Sequence, residues 1–410
     1  MIQKITFSRG SLDVELRLSG CWCRYCRLST AYQLLLEFSG SSVIVVDKEN
    51  TIAAHQTGHN SGVIHAGVYY TPGSLKAEFC KAGNNEIKAF CDEQAISYEE
   101  CGKLLVATND KELSRMQALI SRASENGLEF EILDQEQLRA REPNIRGLGA
   151  IYVPSTGIVN YTAVCKALVR EIERMNGNVL LGQAVQSIQE TDESITVIAG
   201  HETIVADRLV ACAGIMSDRI VKMLGLEPDF KMVPFRGDYF LLSPQHNGII
   251  NHLIYPIPDP DLPFLGVHLT KMIDGTVTVG PNAVVNFSRE GYSKLAFNIG
   301  DSIEMLTYRG FHKVVAANFK SAMHELKNGL WKPGYLRQVQ KYCPSLTLSD
   351  LRKYPPGIRA QAITPDGKLV DDFLFYQTNR ALVVCNAPSP AATSCFPIAR
   401  HVVSQLYQGS

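Results

Sequence analysis

The chain has 410 residues, 45% of them hydrophobic, which is enough for more than one core. Forty Lys and Arg against 41 Asp and Glu give a formal net charge of −1, so there is no basic field to attract nucleic acid. No apolar run reaches the roughly 18 residues of a membrane helix, so any membrane contact is expected to be peripheral.

The first residues mix Lys4 and Arg9 with Asp13 and Glu15, which argues against a secretory signal and against a transit peptide. The next stretch is unusual. From Leu28 onward, Leu28, Ala31, Tyr32, Leu34 and Leu35 recur at helical spacing. Just before it stand Cys21, Cys23 and Cys26, beside Trp22. Zinc sites want four ligands, usually as two separated pairs, and here no second pair follows. No metal is expected. The other cysteines of the 11 are scattered, which points to free thiols in a reducing compartment.

Val43–Asp47, VIVVD, is a β-branched run ending in an acid. Helix, strand, then an acid at the strand's end is the βαβ pattern in which the acid bonds a dinucleotide ribose. Asp47, with Lys48 after it, is therefore a candidate cofactor contact; an ordinary surface acid is the alternative. The glycine-rich turn that should precede Leu28 is missing. The genetic code supplies a reading. A one-base advance through Trp22 and Cys23 forces a glycine, and the neighbouring codons permit V-G-A-G-I-V-G over residues 21–27. Its last glycine falls about 20 residues before Asp47, the spacing of the dinucleotide fingerprint. Residues 1–27 are thus expected to be aberrant through a frameshift.

Further along, residues 74–104 read as mainly helical. Residues 110–142 hold two amphipathic stretches, each opened by a cap. GAIYVPSTGIVN is strand, turn, strand. YTAVCKALVREIERMNG is a helix closed by Gly177. The segments NVLLGQAVQSIQETDESITVIAG and HETIVADRLVACAG are strands, and residues 234–285 alternate strand and turn. Residues 298–327 are helical, and the chain closes with strand, irregular loop and helix from residue 378.

Residues 53–77, AAHQTGHNSGVIHAGVYYTPGSLKA, carry the densest motif. Its glycines permit close backbone approach to a flat ring, and His59 and His65 bring titratable groups beside it. Ala213 and Gly214 end an apolar strand where backbone can approach a ligand. Together HQTGHNSGVIHAGVYY, FRGDYFLL, PDPDLPFLGVHLT, VGPNAV, GIRAQ, DGKLVDDF and NAPSPAATS resemble the L-2-hydroxyglutarate dehydrogenases, FAD enzymes of the D-amino-acid-oxidase-like group. The resemblance runs from about residue 28 to the C-terminus.

That resemblance implies an α/β chain: a Rossmann-like FAD-binding domain interwoven with a sheet-rich α+β substrate domain. The expected division is 1–90, 150–230 and 350–410 for the FAD domain, with 91–149 and 231–349 for the substrate domain. Asp47, Lys48, His59, Asn60, Ser61, Gly62, Val185, Ala213 and Gly214 are the expected FAD contacts. The substrate is a small dicarboxylate 2-hydroxy acid, oxidised by hydride transfer to flavin N5. Arg236 and Arg359 would fork its carboxylates, because guanidinium groups bind these bidentately. His268 ranks ahead of His65 as the group that takes the hydroxyl proton. The electron acceptor is unidentified, with a quinone or an electron-transfer flavoprotein as candidates, and a mitochondrial location follows from the resemblance. The alternatives are an amine or amino-acid oxidase on the same fold, or a chain unable to hold FAD for want of its glycine turn.

Overall fold

The computed structural model describes residues 24–259, 266–317 and 332–408. The first described element is the helix Arg24–Glu37. Leu28, Ala31, Leu34 and Leu35 are buried, as their spacing predicts, and the helix packs against Tyr161–Arg174 and Cys395–Gln408. It begins inside the expected glycine turn; residues 21–23 lie outside the described residues. The strand Ile44–Val46 follows and pairs in parallel with Asn178–Leu180. Asp47 continues that strand, its N–H donating to Leu180 O at 2.8 Å. A second parallel pair, Leu209–Ala211 with Ala381–Asn386, stands in the same half of the molecule.

The other half is built on a nine-stranded sheet. Its order runs Val284–Val285, Lys231–Leu242, Val277–Gly280, His268–Lys271, Leu253–Pro256, Lys103–Ala107, Gly149–Val153, Glu131–Asp134, and Leu351–Ile363 also pairs with Lys231–Leu242. Leu351–Ile363 therefore belongs to this sheet, although its numbers fall in the expected third FAD segment. Among the described residues, nine cysteines are free and buried.

Chain stops explain where the predicted elements differ. The helix expected over 74–104 ends at Glu93, and strands Tyr98–Glu99 and Lys103–Ala107 follow. Ala95 takes a left-handed φ of 53°, and Ile96 N–H bonds Cys91 O at 2.8 Å, the capping geometry that turns a chain out of its helix. The helix Tyr161–Arg174 closes in the same way, but the left-handed residue is Asn176 (φ 63°), one before the expected Gly177. Of the helix expected over 298–327, the described residues form two helices, Ile299–Leu306 and Arg309–Ala317, and residues 318–327 lie outside the described residues.

Candidate active site

One large cavity of about 600 Å³ opens between the two halves. Its wall brings together residues that lie far apart in sequence: His59, Asn60, Ser61 and His65 from the loop after the first strand, Tyr239, Tyr255 and His268 from the large sheet, and Arg359 from Leu351–Ile363. The loop Pro388–Ala392, within the NAPSPAATS motif, completes the wall. A volume of this size, mostly apolar with a few convergent polar groups, is usual for a cofactor and small-substrate site.

His268 is the most informative of these residues. It is buried, and its Nδ1 lies 3.0 Å from Gly266 O. A carbonyl only accepts, so Nδ1 carries the hydrogen and Nε2 of the neutral ring is the acceptor. Burial lowers its pKa to about 3, with the Lys103 and Arg359 charges acting in the same direction against the bond to Gly266. The ring is therefore neutral at physiological pH. An acidic limb near the ordinary imidazole value, the sequence-based expectation, does not follow from this environment.

His65 is half-buried on the cavity wall. Its N–H donates to Thr393 Oγ1 at 3.0 Å, and its carbonyl accepts from Asn84 Nδ2 at 2.9 Å. Burial, with Lys103 and His268 adding to it, holds its pKa well below the usual range. Both histidines are thus available as neutral groups, and geometry separates them: His268 projects from a rigid strand, His65 from the 53–77 loop. His59 Nδ1 donates to Pro356 O (3.0 Å), and the ring stacks on Tyr292, with ring centroids 4.4 Å apart. Burial lowers its pKa too.

Arg359 opens onto the cavity. Its neighbour in register on Lys231–Leu242 is Phe235, which also lines it. The enclosure lowers its pKa, while Tyr239 and Tyr70 act the other way; a guanidinium nevertheless stays charged. Arg236 requires a correction. Phe235, Gly237 and Tyr239 line the cavity, so strand alternation turns Arg236 to the opposite face. There it is buried against Asp238, with Nε 3.1 Å from Oδ1, and it donates to Ser293 O at 3.0 Å. It holds structure rather than substrate.

The expected cofactor contacts divide likewise. Asn60 Oδ1 accepts the N–H of Gly62 at 2.7 Å, which shapes the loop. Gly62 has a φ of 67°, and an added Cβ would stand 2.8 Å from Val159 O. Its glycine is demanded by a crossing strand, not by a ring. Gly357 makes the comparable close approach at the cavity, where a Cβ would meet His59 O at 2.6 Å. Lys48 pairs with Glu290 (2.6 Å) and Glu49 (2.8 Å) and does not line the cavity. Val185 packs beside Ile44 and Val46, near the strand that ends in Asp47. Ala213 is fully buried and Gly214 opens a short turn at φ 52°. None of these three lines the cavity.

Sequence reasoning missed Tyr255, Tyr239, Tyr69 and, behind them, Lys103. Lys103 had a visible signal: it is the one charge in the otherwise apolar strand KLLVA, and alternation turns it inward.

The residues fit a flavin in its ring half: a roomy, largely apolar cavity with Asn60, Ser61 and three histidines on its wall. The nucleotide half is contested. Asp47, fully buried, is ion-paired with Arg27, whose other guanidinium nitrogen donates to Val46 O at 2.9 Å. Arg27 occupies the position expected for the third glycine of the fingerprint. A ribose hydroxyl must therefore displace a charge-assisted bond. Arg27→Gly is expected to tighten FAD binding by about ten- to a hundredfold, the equivalent of one hydrogen bond to a charged group. The readouts are flavin retained through purification and the thermal shift on adding FAD. Equal values in both proteins would refute competition for Asp47.

The FAD dependent oxidoreductase family matches residues 28–405. An L-2-hydroxyglutarate dehydrogenase of Escherichia coli (strain K12) is 55% identical over 381 residues, covering 92% of this chain and 90% of that protein. The mitochondrial L-2-hydroxyglutarate dehydrogenase of Homo sapiens is 40% identical over 399 residues, covering 93% and 86%. Among solved structures, the FAD-bound L-alpha-glycerophosphate oxidase of Mycoplasma pneumoniae superposes with a TM-score of 0.78 at 19% identity, covering 96% of this chain and 94% of that one. Glycine oxidase from Geobacillus kaustophilus gives 0.71 at 14% identity, covering 97% and 94%. The latter two likenesses carry the fold, and the family match with the close relatives carries the kinship: the chain belongs to the FAD dependent oxidoreductases, among the L-2-hydroxyglutarate dehydrogenases.

Proposed function

We propose that this chain oxidises L-2-hydroxyglutarate to 2-oxoglutarate. The observation that carries the reading is the meeting, in one cavity, of a neutral His268 with its acceptor nitrogen free of the Gly266 bond and a cavity-facing Arg359. Arg359 holds a carboxylate of the diacid and so aims its C2. His268 Nε2 takes the hydroxyl proton. When bound, FAD supplies the hydride acceptor, flavin N5. His59, Asn60, Ser61 and the Pro388–Ala392 loop hold the ring; His65 orients it; Asp47 serves the ribose, and Val185, Ala213 and Gly214 shape the nucleotide end. In this reading residues 1–90, 150–230 and most of 350–410 form the FAD domain, and 91–149 with 231–349 the substrate domain. The frameshift over 21–27 belongs here too; its support is the glycine that the shifted frame forces at Trp22–Cys23 and the spacing to Asp47.

The test is anaerobic mixing of the FAD-loaded protein with L-2-hydroxyglutarate, its D enantiomer, glycine and sarcosine, following flavin absorbance. Bleaching by the L-hydroxy acid alone is expected. Bleaching by an amine instead would move the chain to the amine oxidases. A quinone or an electron-transfer flavoprotein is the proposed acceptor. Peripheral contact with a membrane is supported by exposed Leu295 and Phe297 beside a stripe of exposed Ile299, Ile303 and Leu306 on one helix. Among the described residues no helix is long and apolar enough to cross a membrane. A mitochondrial location rests on the animal relatives, whereas those of Escherichia coli and Salmonella are bacterial.

A further inference from the structure

Lys103 is 1% exposed, at the head of an otherwise apolar strand. A buried ammonium normally needs an anion. Among the described residues no carboxylate pairs with it. Its partners are ring faces: Nζ lies 4.4 Å from the ring centre of Tyr255 and 5.3 Å from that of Tyr69. Tyr255 in turn stacks on His268 at 3.9 Å and 18°.

Register explains the row. Lys103 pairs with Leu253 and Leu105 with Tyr255 in parallel strands, while Ile254 pairs with Leu269. Alternation then puts Lys103, Tyr255 and His268 on one face, across three adjacent strands. Tyr255, Tyr69, His65 and His268 line the cavity; Lys103 stands behind them. Such a placement is costly for stability and gains nothing from an ion pair, which is the mark of a functional charge.

We propose that Lys103 is a positioning residue of this site: its ammonium, seated behind Tyr255 and Tyr69, adds to the burial that keeps His268 and His65 in the uncharged form that can accept a proton. This deepens the proposed oxidation and rests on it only for what His268 does with that proton. The groups around the ammonium are Tyr69, Tyr255, His65, His268, Cys80 and Cys101, and Arg359 adds its charge at His268. Burial lowers the Lys103 pKa to about 8, with the two thiols opposing, so the ammonium persists at neutral pH.

The experiment compares wild type, Lys103→Met and Lys103→Arg by histidine-ring NMR across pH, with flavin reduction by L-2-hydroxyglutarate alongside. Loss of the charge should raise the His268 titration midpoint by about one pH unit and carry the acidic limb of the second-order reduction constant with it. Arginine should restore both. An unchanged His268 midpoint in a folded Lys103→Met protein overturns the proposal. Should that variant not fold, the wild-type protein decides. His268 ring shifts should pass through an inflection near pH 8 as Lys103 loses its proton, and a flat response there overturns it equally. Because the NMR arm needs no turnover, a shifted midpoint without oxidation of the hydroxy acid would sink the proposed reaction and leave the role of Lys103 standing.

Discussion

His268→Asn is expected to slow flavin reduction by about 10²–10⁴-fold, the usual cost of losing a general base. The strand His268–Lys271 holds the ring, Gly266 O fixes its tautomer, and Asn can keep that one bond while offering no basic nitrogen. His65→Asn should leave the chemical step within a few fold and alter the flavin spectrum instead. Rapid mixing with both variants decides the assignment, and a large loss confined to the His65 variant would reverse it. The wild-type second-order constant, which reports the free enzyme, should be level between about pH 5 and 7, because the His268 pKa lies at about 3. Stability has its own sign. The unfolded chain binds a proton at this residue below about 6.5, whereas the folded chain does not until about 3. The folded state is therefore favoured less and less as pH falls through that window, and stability rises with pH across it. His268→Asn should flatten that part of the acid-unfolding curve.

Arg359→Ala should cost on the order of 2–5 kcal/mol in kcat/KM for the diacid, the range for deleting one partner of a desolvated charge pair. Its place opposite Phe235 turns the guanidinium into the cavity. Arg359→Lys should recover only part, because a point charge cannot reproduce the fork. Arg236→Ala offers the contrast. It breaks the buried pair with Asp238, so the expected loss is roughly 3–5 kcal/mol of stability, read by denaturant titration rather than by KM. Near-normal kinetics in the Arg359 variant would assign it a structural role.

The local motifs were legible in the chain. The helix from Leu28, the acid-terminated strand at Asp47, the glycine-rich loop at His59–Gly62 and the final strand, loop and helix all follow from periodicity and punctuation, which act between near neighbours. Helix ends were read less well. Ala95 and Asn176 adopt left-handed turns that neither residue type announces. Which side chains meet was a different matter. Arg236 and Arg359 are equivalent as sequence, each a guanidinium in a short motif, and only the pleat of two paired strands sends one into the cavity and the other to Asp238. Lys103, Tyr255 and His268 lie up to 165 residues apart in number and form a row only because three strands lie side by side. Arg27 and Asp47 illustrate both levels. An acid at the end of this strand is the expected ribose partner of the dinucleotide pattern, while the packing of the helix on the strand brings the Arg27 guanidinium to that acid. Period and spacing thus determine the elements, and the motifs carry the family resemblance. The faces of paired strands, fixed by register across the whole sheet, decide which charges share the cavity.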